Sequence, residues 1–211
     1  MLKRWKIDIL QHIQKNITLY LVTLFAILTG LASGIFTASS MPGDQKTALG
    51  TYLQSFFQQS SFEPIKKSSV FLQSLLQNFQ STFLIWLSGM FLFGIPFIFL
   101  LVGARSFFIG FAIGFLINQY QFGGFLFALL CILPQTIIYL TSFLGIGVLA
   151  LENSIDKLKN RKVTQPKEQM KRNTGIYTWK TLSIFFLLIL GCLFEAYISP
   201  IFFSLFRWVF K

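Results

Sequence analysis

GARSFFIGFAIGFLINQYQFGGFLFALLCILPQTIIYLTSFLGIGVLAL, residues 103–151, decides how the chain folds. It is almost wholly apolar and dense in aromatics, with glycine at positions 103, 110, 114, 123, 124, 145 and 147. So long an apolar run has no place in a water-soluble domain of this size. In a bilayer, about 20 apolar residues span the hydrocarbon as a helix, the one local structure that satisfies its own backbone there. The amides Asn118, Gln119 and Gln121 divide the stretch, which reads as two helices joined by a tight external turn. The uninterrupted apolar part of the first, Phe107 to Ile117, falls short of a ~30 Å core at ~1.5 Å per residue. The second, Phe122 to Leu151, is longer than a perpendicular span needs and can kink at Pro134. Gly110 and Gly114 form GxxxG with Gly103 one heptad earlier, a face of nearly bare backbone that lets another helix approach closely. That approach is either packing within the bundle or contact with a partner or a second copy.

Composition points the same way. The chain is 54% hydrophobic, 18% aromatic and only 12% charged, with a net charge of +11. The basic residues cluster beside apolar spans as the positive-inside rule places them, and form no stripe for nucleic acid. Cys131 and Cys192 fall inside spans without metal-ligand neighbours and read as small apolar fillers. No cleavable signal peptide is expected, because the first apolar run starts late and is long. The fold class is therefore all-α: a polytopic membrane bundle of about five transmembrane helices plus amphipathic helices at the membrane surface, one integral membrane domain over residues 1–211.

Outward from the centre, residues 1–16 place Leu2, Trp5, Ile9 and Ile13 at helical spacing among cations, a helix lying on the cytoplasmic leaflet. His12, the sole histidine, reads there as a solvated or interfacial residue. Ile17 to Thr37 is the first span, with a second GxxxG at Gly30 and Gly34. Residues 39–80 form an extracytoplasmic amphipathic segment. Met41-Pro42-Gly43-Asp44 makes a turn with Asp44 placed to cap the next helix. Leu49, Leu53, Phe56 and Phe57 form one apolar stripe; after the break at Glu63-Pro64, Leu72, Leu75, Leu76 and Phe79 form another. These stripes rest on the bundle or outer leaflet, or offer a surface to extracytoplasmic partners; the two uses are compatible. Phe83 to Val102 reads as the second span, Gly103 and Arg105 as the following turn, residues 152–178 as a basic cytoplasmic loop, and Trp179 to Tyr197 as the last span.

Charge sets the orientation. With the amino terminus inside, cytoplasmic segments hold the basic residues 3, 4, 6, 15, 105, 157, 159, 161, 162, 167, 171, 172 and 180. Outer segments hold those at 46, 66, 67, 207 and 211. Arg105, Lys157, Lys159, Arg161 and Lys162 thus carry the topology signal, and five spans leave the carboxyl terminus outside.

Residues that could carry chemistry are few. The sequence shows no triad, no HExxH, no phosphate loop and no paired carboxylates in one cleft. It calls for no catalytic residue, metal or cofactor. The intramembrane polar positions are Asn118, Gln119, Pro134, Gln135 and Glu195. Glu195, counted from Lys180, falls in the outer half of the last helix, and an ionisable residue at that depth is a functional candidate unless it reaches water. Arg105 and Glu195 are expected near opposite faces. Pro134-Gln135 offers a freed carbonyl and an amide as interhelical glue or pore lining.

LYLVTLFAILTGLASGIF (19–36), GTYLQSFFQQ (50–59), FLIWLSGMFLFGIPFIFLLVGARSFFIGFAIGFLINQYQFGGF (83–125), LPQTII (133–138) and FEAYISPIF (194–202) together resemble stage II sporulation protein M of endospore-forming bacteria. The likeness covers most of the chain in order; the basic loop lies outside it. It implies a non-enzymatic membrane subunit of the engulfment machinery, on the mother-cell side of the septum. Its partners would be two peptidoglycan hydrolases, an amidase and a lytic transglycosylase known as stage II sporulation proteins P and D. A channel or transporter subunit is the rival reading, motivated by the uneven central spans, Pro134 and Glu195. A membrane-embedded enzyme is the remotest.

Overall fold

The computed structural model describes residues 11–62, 67–159 and 167–198; the side chains of residues 56–62 and 167–171 lie outside that description. Every element among the described residues is helical. Residues 11–15 form a helical turn, and the rest of the expected amino-terminal helix lies outside the described residues. The helices that follow are α1 (Ile17–Ser39), α2 (Gly43–Phe62), α3 (Lys67–Met90), α4 (Gly94–Phe127), α5 (Leu133–Lys159) and α6 (Lys167–Tyr197). A π-helical segment, Ala128–Ile132, joins α4 to α5.

Three stretches are long and apolar enough to cross a membrane: Ile17–Ser39, Gly94–Lys159 and Arg172–Tyr197. The middle one holds 66 residues, which as a straight rod would run ~100 Å, some three times the ~30 Å hydrocarbon core. It folds back on itself instead. Gln121 leaves the helical region at φ 48°, ψ −124°, and Leu116 packs with Phe127 and Cys131 in one small cluster. A Cβ on Gly124 would run into the carbonyl of Leu116, so the absent side chain is what closes the turn. The amide knot therefore divides the stretch where the sequence places the division.

The break before it falls elsewhere. Gly103 and Arg105 lie inside α4, and the chain turns at residues 91–93 instead. Pro96 accounts for the shift: it is the third residue of α4, where a missing N–H costs nothing, not the interior of a span. The segment Phe107 to Ile117 is thus the upper part of a long helix, not a short third span. The expected second span, Phe83 to Val102, is split between α3 and α4.

α3 is built inside out by the standards of a soluble helix. Its buried positions include Ser74, Asn78 and Thr82, while Leu72, Leu76, Phe79 and Phe83 are exposed. A helix with apolar residues outward suits a hydrocarbon surround. The polar inner face, together with the exposed Gln73, Gln77 and Gln80, lowers its mean hydropathy, which keeps α3 out of the three stretches above. Leu72 and Phe79 of the second stripe face outward, and Leu75 is half-buried.

Contacts fix the helix directions. Gly30 meets Gly103 and Ser106, and Gly114 meets Ile35 and Ala38, so α1 and α4 run parallel. Asn78 sits by Cys192 and Trp86 by Thr178, so α3 and α6 run antiparallel. Asn16 bonds Glu152 while Gly147 packs on Thr23, so α1 and α5 are antiparallel. α1, α4 and α6 therefore point one way, and α3 and the arm from Phe122 to Lys159 the other.

The core between them holds Ile85, Ile98, Val102, Ile146, Leu151 and Leu188, each essentially inaccessible. At one end, three side chains of α5 cover the carbonyls that α3 leaves open: Asn153 on Gly89, Lys157 on Met90 at 2.8 Å, and Ser154 on Phe91. The expected basic loop is accordingly mostly helix. Residues 152–159 end α5, 167–178 begin α6, and Arg161 and Lys162 lie outside the described residues.

Candidate functional site: a polar cluster inside the bundle

α3, α4, the arm through α5, and α6 bring Asn78, Arg105, Tyr139, Cys192 and Glu195 into one network among apolar walls. Asn78 is 4% exposed. Its amide donates to the carbonyl of Ser74 at 2.9 Å and meets Cys192 Sγ at 3.4 Å. Arg105 Nη2 donates at 3.1 Å to both Asn78 Oδ1 and the carbonyl of Gln77. The guanidinium also lies over the Phe143 ring, 5.4 Å from its centroid, a cation–π contact that strengthens when water is excluded. Tyr139 donates to Glu195 Oε2 at 2.6 Å. Gly191 makes room for it, since a Cβ there would lie 2.6 Å from the Tyr139 ring.

The cluster sets one cation against one anion. The network is continuous: Arg105 bonds Asn78, Asn78 meets Cys192, and Cys192 lies one turn from Glu195, which accepts from Tyr139. A charge at this depth is costly without hydrogen-bond partners, and each has them: Arg105 on α3 and Glu195 from Tyr139. Arg105 and Glu195 thus belong to one network, joined through Asn78, Cys192 and Tyr139, although among the described residues they form no ion pair with each other. The helix register explains it: with the turn at residues 91–93, Arg105 lies three turns up α4, level with Asn78 on its antiparallel neighbour.

The other polar positions disperse. Asn118 donates to Ser39 Oγ at 3.0 Å and to the carbonyl of Gly114 at 2.8 Å, tying the top of α4 to the end of α1. Gln119 packs over Gly50 of α2. Pro134 follows the π segment: lacking an N–H for the carbonyl four residues back, it leaves the register slack that a π turn takes up. Gln135 is half-buried.

The two GxxxG motifs meet each other. A Cβ on Gly30 would lie 2.5 Å from the carbonyl of Gly103; Gly34 abuts Phe107 and Phe111, and Gly110 abuts Leu31. On α2, Leu49 and Leu53 are half-buried beside buried Gly50, while Tyr52 is exposed. The side chains of Phe56 and Phe57 lie outside the description. His12 is not merely solvated. Its Nε2 lies 3.3 Å from Glu152 Oε2, Asn16 donates to the same carboxylate at 3.1 Å, and Tyr20 meets the imidazole edge-on.

Sequence reasoning missed Asn78, Tyr139 and Thr82. The signal was present as Ser74, Asn78 and Thr82 at four-residue spacing, a polar stripe that reads as water-facing unless the apolar face is known to look at lipid.

Fold and cluster define a class: an all-helical membrane protein with a hydrogen-bonded polar network between its helices. The family model described as stage II sporulation protein M matches residues 22–200. The chain belongs to that family of sporulation membrane proteins. No curated protein and no solved structure gave a significant match.

Proposed function

We propose that the chain is a non-enzymatic, five-pass membrane scaffold of the engulfment machinery, holding the peptidoglycan hydrolases that thin the septal wall. The five passes are α1, α3, α4 up to Gln121, the arm from Phe122 to Lys159, and α6, in alternating directions. Lys15, Lys159, Arg172 and Lys180 are exposed at the end where α3 closes on α5, against Lys67 at the other. That asymmetry supports a cytoplasmic amino terminus and an extracytoplasmic carboxyl terminus. The partners in this reading are an amidase and a lytic transglycosylase, stage II sporulation proteins P and D, on the mother-cell side of the septum.

The observation that carries the scaffold reading is α2. This 20-residue helix sits on the outer side and takes no part in the extensive helix packing of the bundle. It touches the bundle where Lys46 donates to the carbonyl of Ser39 and where Gly50 meets Gln119. Among the described residues, the packing of the spans does not call for such a helix, which supports its use as a surface for a partner.

A channel or transporter subunit remains a second reading, favoured by the Arg105 cluster. The two separate in one engulfment assay with hydrolase pull-down. Tyr52→Glu with Leu53→Glu should abolish engulfment and release the hydrolases while the protein stays in the membrane, since a buried charge makes docking costly. If that variant engulfs normally and Glu195→Gln abolishes function with the complex intact, transport replaces scaffolding.

A further inference from the structure

Four buried hydroxyls in these helices share one resting place. Thr23, Ser106, Ser142 and Thr181 each donate to the carbonyl four residues back, at 2.7–3.0 Å. Thr82 does not. It is 6% exposed, and its Oγ1 is buried with no hydrogen-bond partner. One turn away on the same face is Asn78, the acceptor for Arg105, and Arg105 Nε is likewise buried and without a partner. An orphaned guanidinium donor and an orphaned hydroxyl thus belong to the residue that bonds the Asn78 amide and to the residue one turn beyond it, where each unmet group is expensive.

We infer that Arg105 and Thr82 hold a structural water molecule between α3 and α4, making the cluster a hydrated site within the bundle. The chemistry selects water over an ion. The open positions are one N–H donor and one hydroxyl that both donates and accepts, and the guanidinium beside them disfavours a cation. A buried water wants two to four polar partners, and Arg105 Nε and the Thr82 hydroxyl supply two. Entry is from the outer end, where the network runs from half-buried Glu195 through Tyr139 and Cys192 to Asn78. The other direction is closed by Ile85, Ile98, Val102 and Ile146, none measurably exposed.

The test turns on the sign of an isosteric change. If Thr82 Oγ1 were a dry orphan, Thr82→Val would remove an unmet polar group and leave stability equal or higher. A bound water reverses that: Thr82→Val should lower the unfolding temperature in lipid nanodiscs by about 2–4 °C, and Thr82→Ser should stay near the native value. Independently, water-edited solid-state NMR of the unaltered protein should show transfer from water to Arg105 Nε, its resonance identified by loss in Arg105→Lys. The same experiment should leave the amide of Ile146 dark. A neutral or stabilised Thr82→Val variant, or an Arg105 Nε that receives no magnetisation from water, would overturn the assignment.

Discussion

Arg105 is the residue on which the interior turns. Its hydrogen bonds go to Gln77 and Asn78 of α3, its ring contact to Phe143 of α5, and Glu195 of the same network sits on α6. Removing either charge leaves the other unbalanced, while removing both does not. Arg105→Gln and Glu195→Gln should therefore each destabilise, and the double variant should cost less than their sum by about 1–2 kcal/mol. Strict additivity in a thermal-unfolding cycle would show that the two charges do not communicate. Tyr139→Phe deletes only the 2.6 Å bond to Glu195 and should cost about 1.5–3 kcal/mol, the range for a hydrogen bond to a charged group. Glu195 was legible in the sequence as the one carboxylate in a span, a functional candidate unless it reached water. Arg105 was not, because an arginine two residues after a glycine reads as a turn. Only the true break at residues 91–93 puts it in mid-helix.

At the scale of elements, the glycines decide which helices touch. Gly34→Leu would drive a side chain into the backbone of α4 at Phe107 and Phe111, so α1 should separate from α4 and the folded protein should be lost. Gly175 lies in α6 with nothing within 4 Å of a Cβ. Gly175→Ala should be tolerated and stabilise by up to about 1 kcal/mol, the helix-propensity difference. Equal effects of the two substitutions on membrane levels would mean α1 and α4 are not in backbone contact. The hairpin tip offers the opposite sign: Gln121 holds φ 48°, a conformation glycine adopts freely, so Gln121→Gly should raise the unfolding temperature. The GxxxG spacing, the dividing amides and the first span from Ile17 were readable from residues alone. α3 was not. Its polar inner face mimics the outer face of a soluble helix, and hydropathy cannot tell which side looks at lipid.

For the whole molecule, the alternating helix directions and the one-sided cations make a single arrangement. Gln45 and Lys159 are both exposed, at opposite ends of the bundle. In a cysteine-free background, Gln45→Cys should react with an impermeant thiol reagent on intact cells. Lys159→Cys should react only after permeabilisation. Labelling of both from one side would remove the five-pass arrangement. What the scaffold reading adds is a reason for α2 to stand on the wall side of that arrangement, away from the helix packing. The most direct measurement is recovery of the intact, tagged chain from sporulating cells, solubilised in mild detergent, with the co-purifying proteins identified by mass spectrometry. An amidase and a lytic transglycosylase should come down with the native chain and be depleted with Tyr52→Glu/Leu53→Glu. Recovery of well-inserted native chain with no wall hydrolase, from cells in which both enzymes are present, would contradict the scaffold.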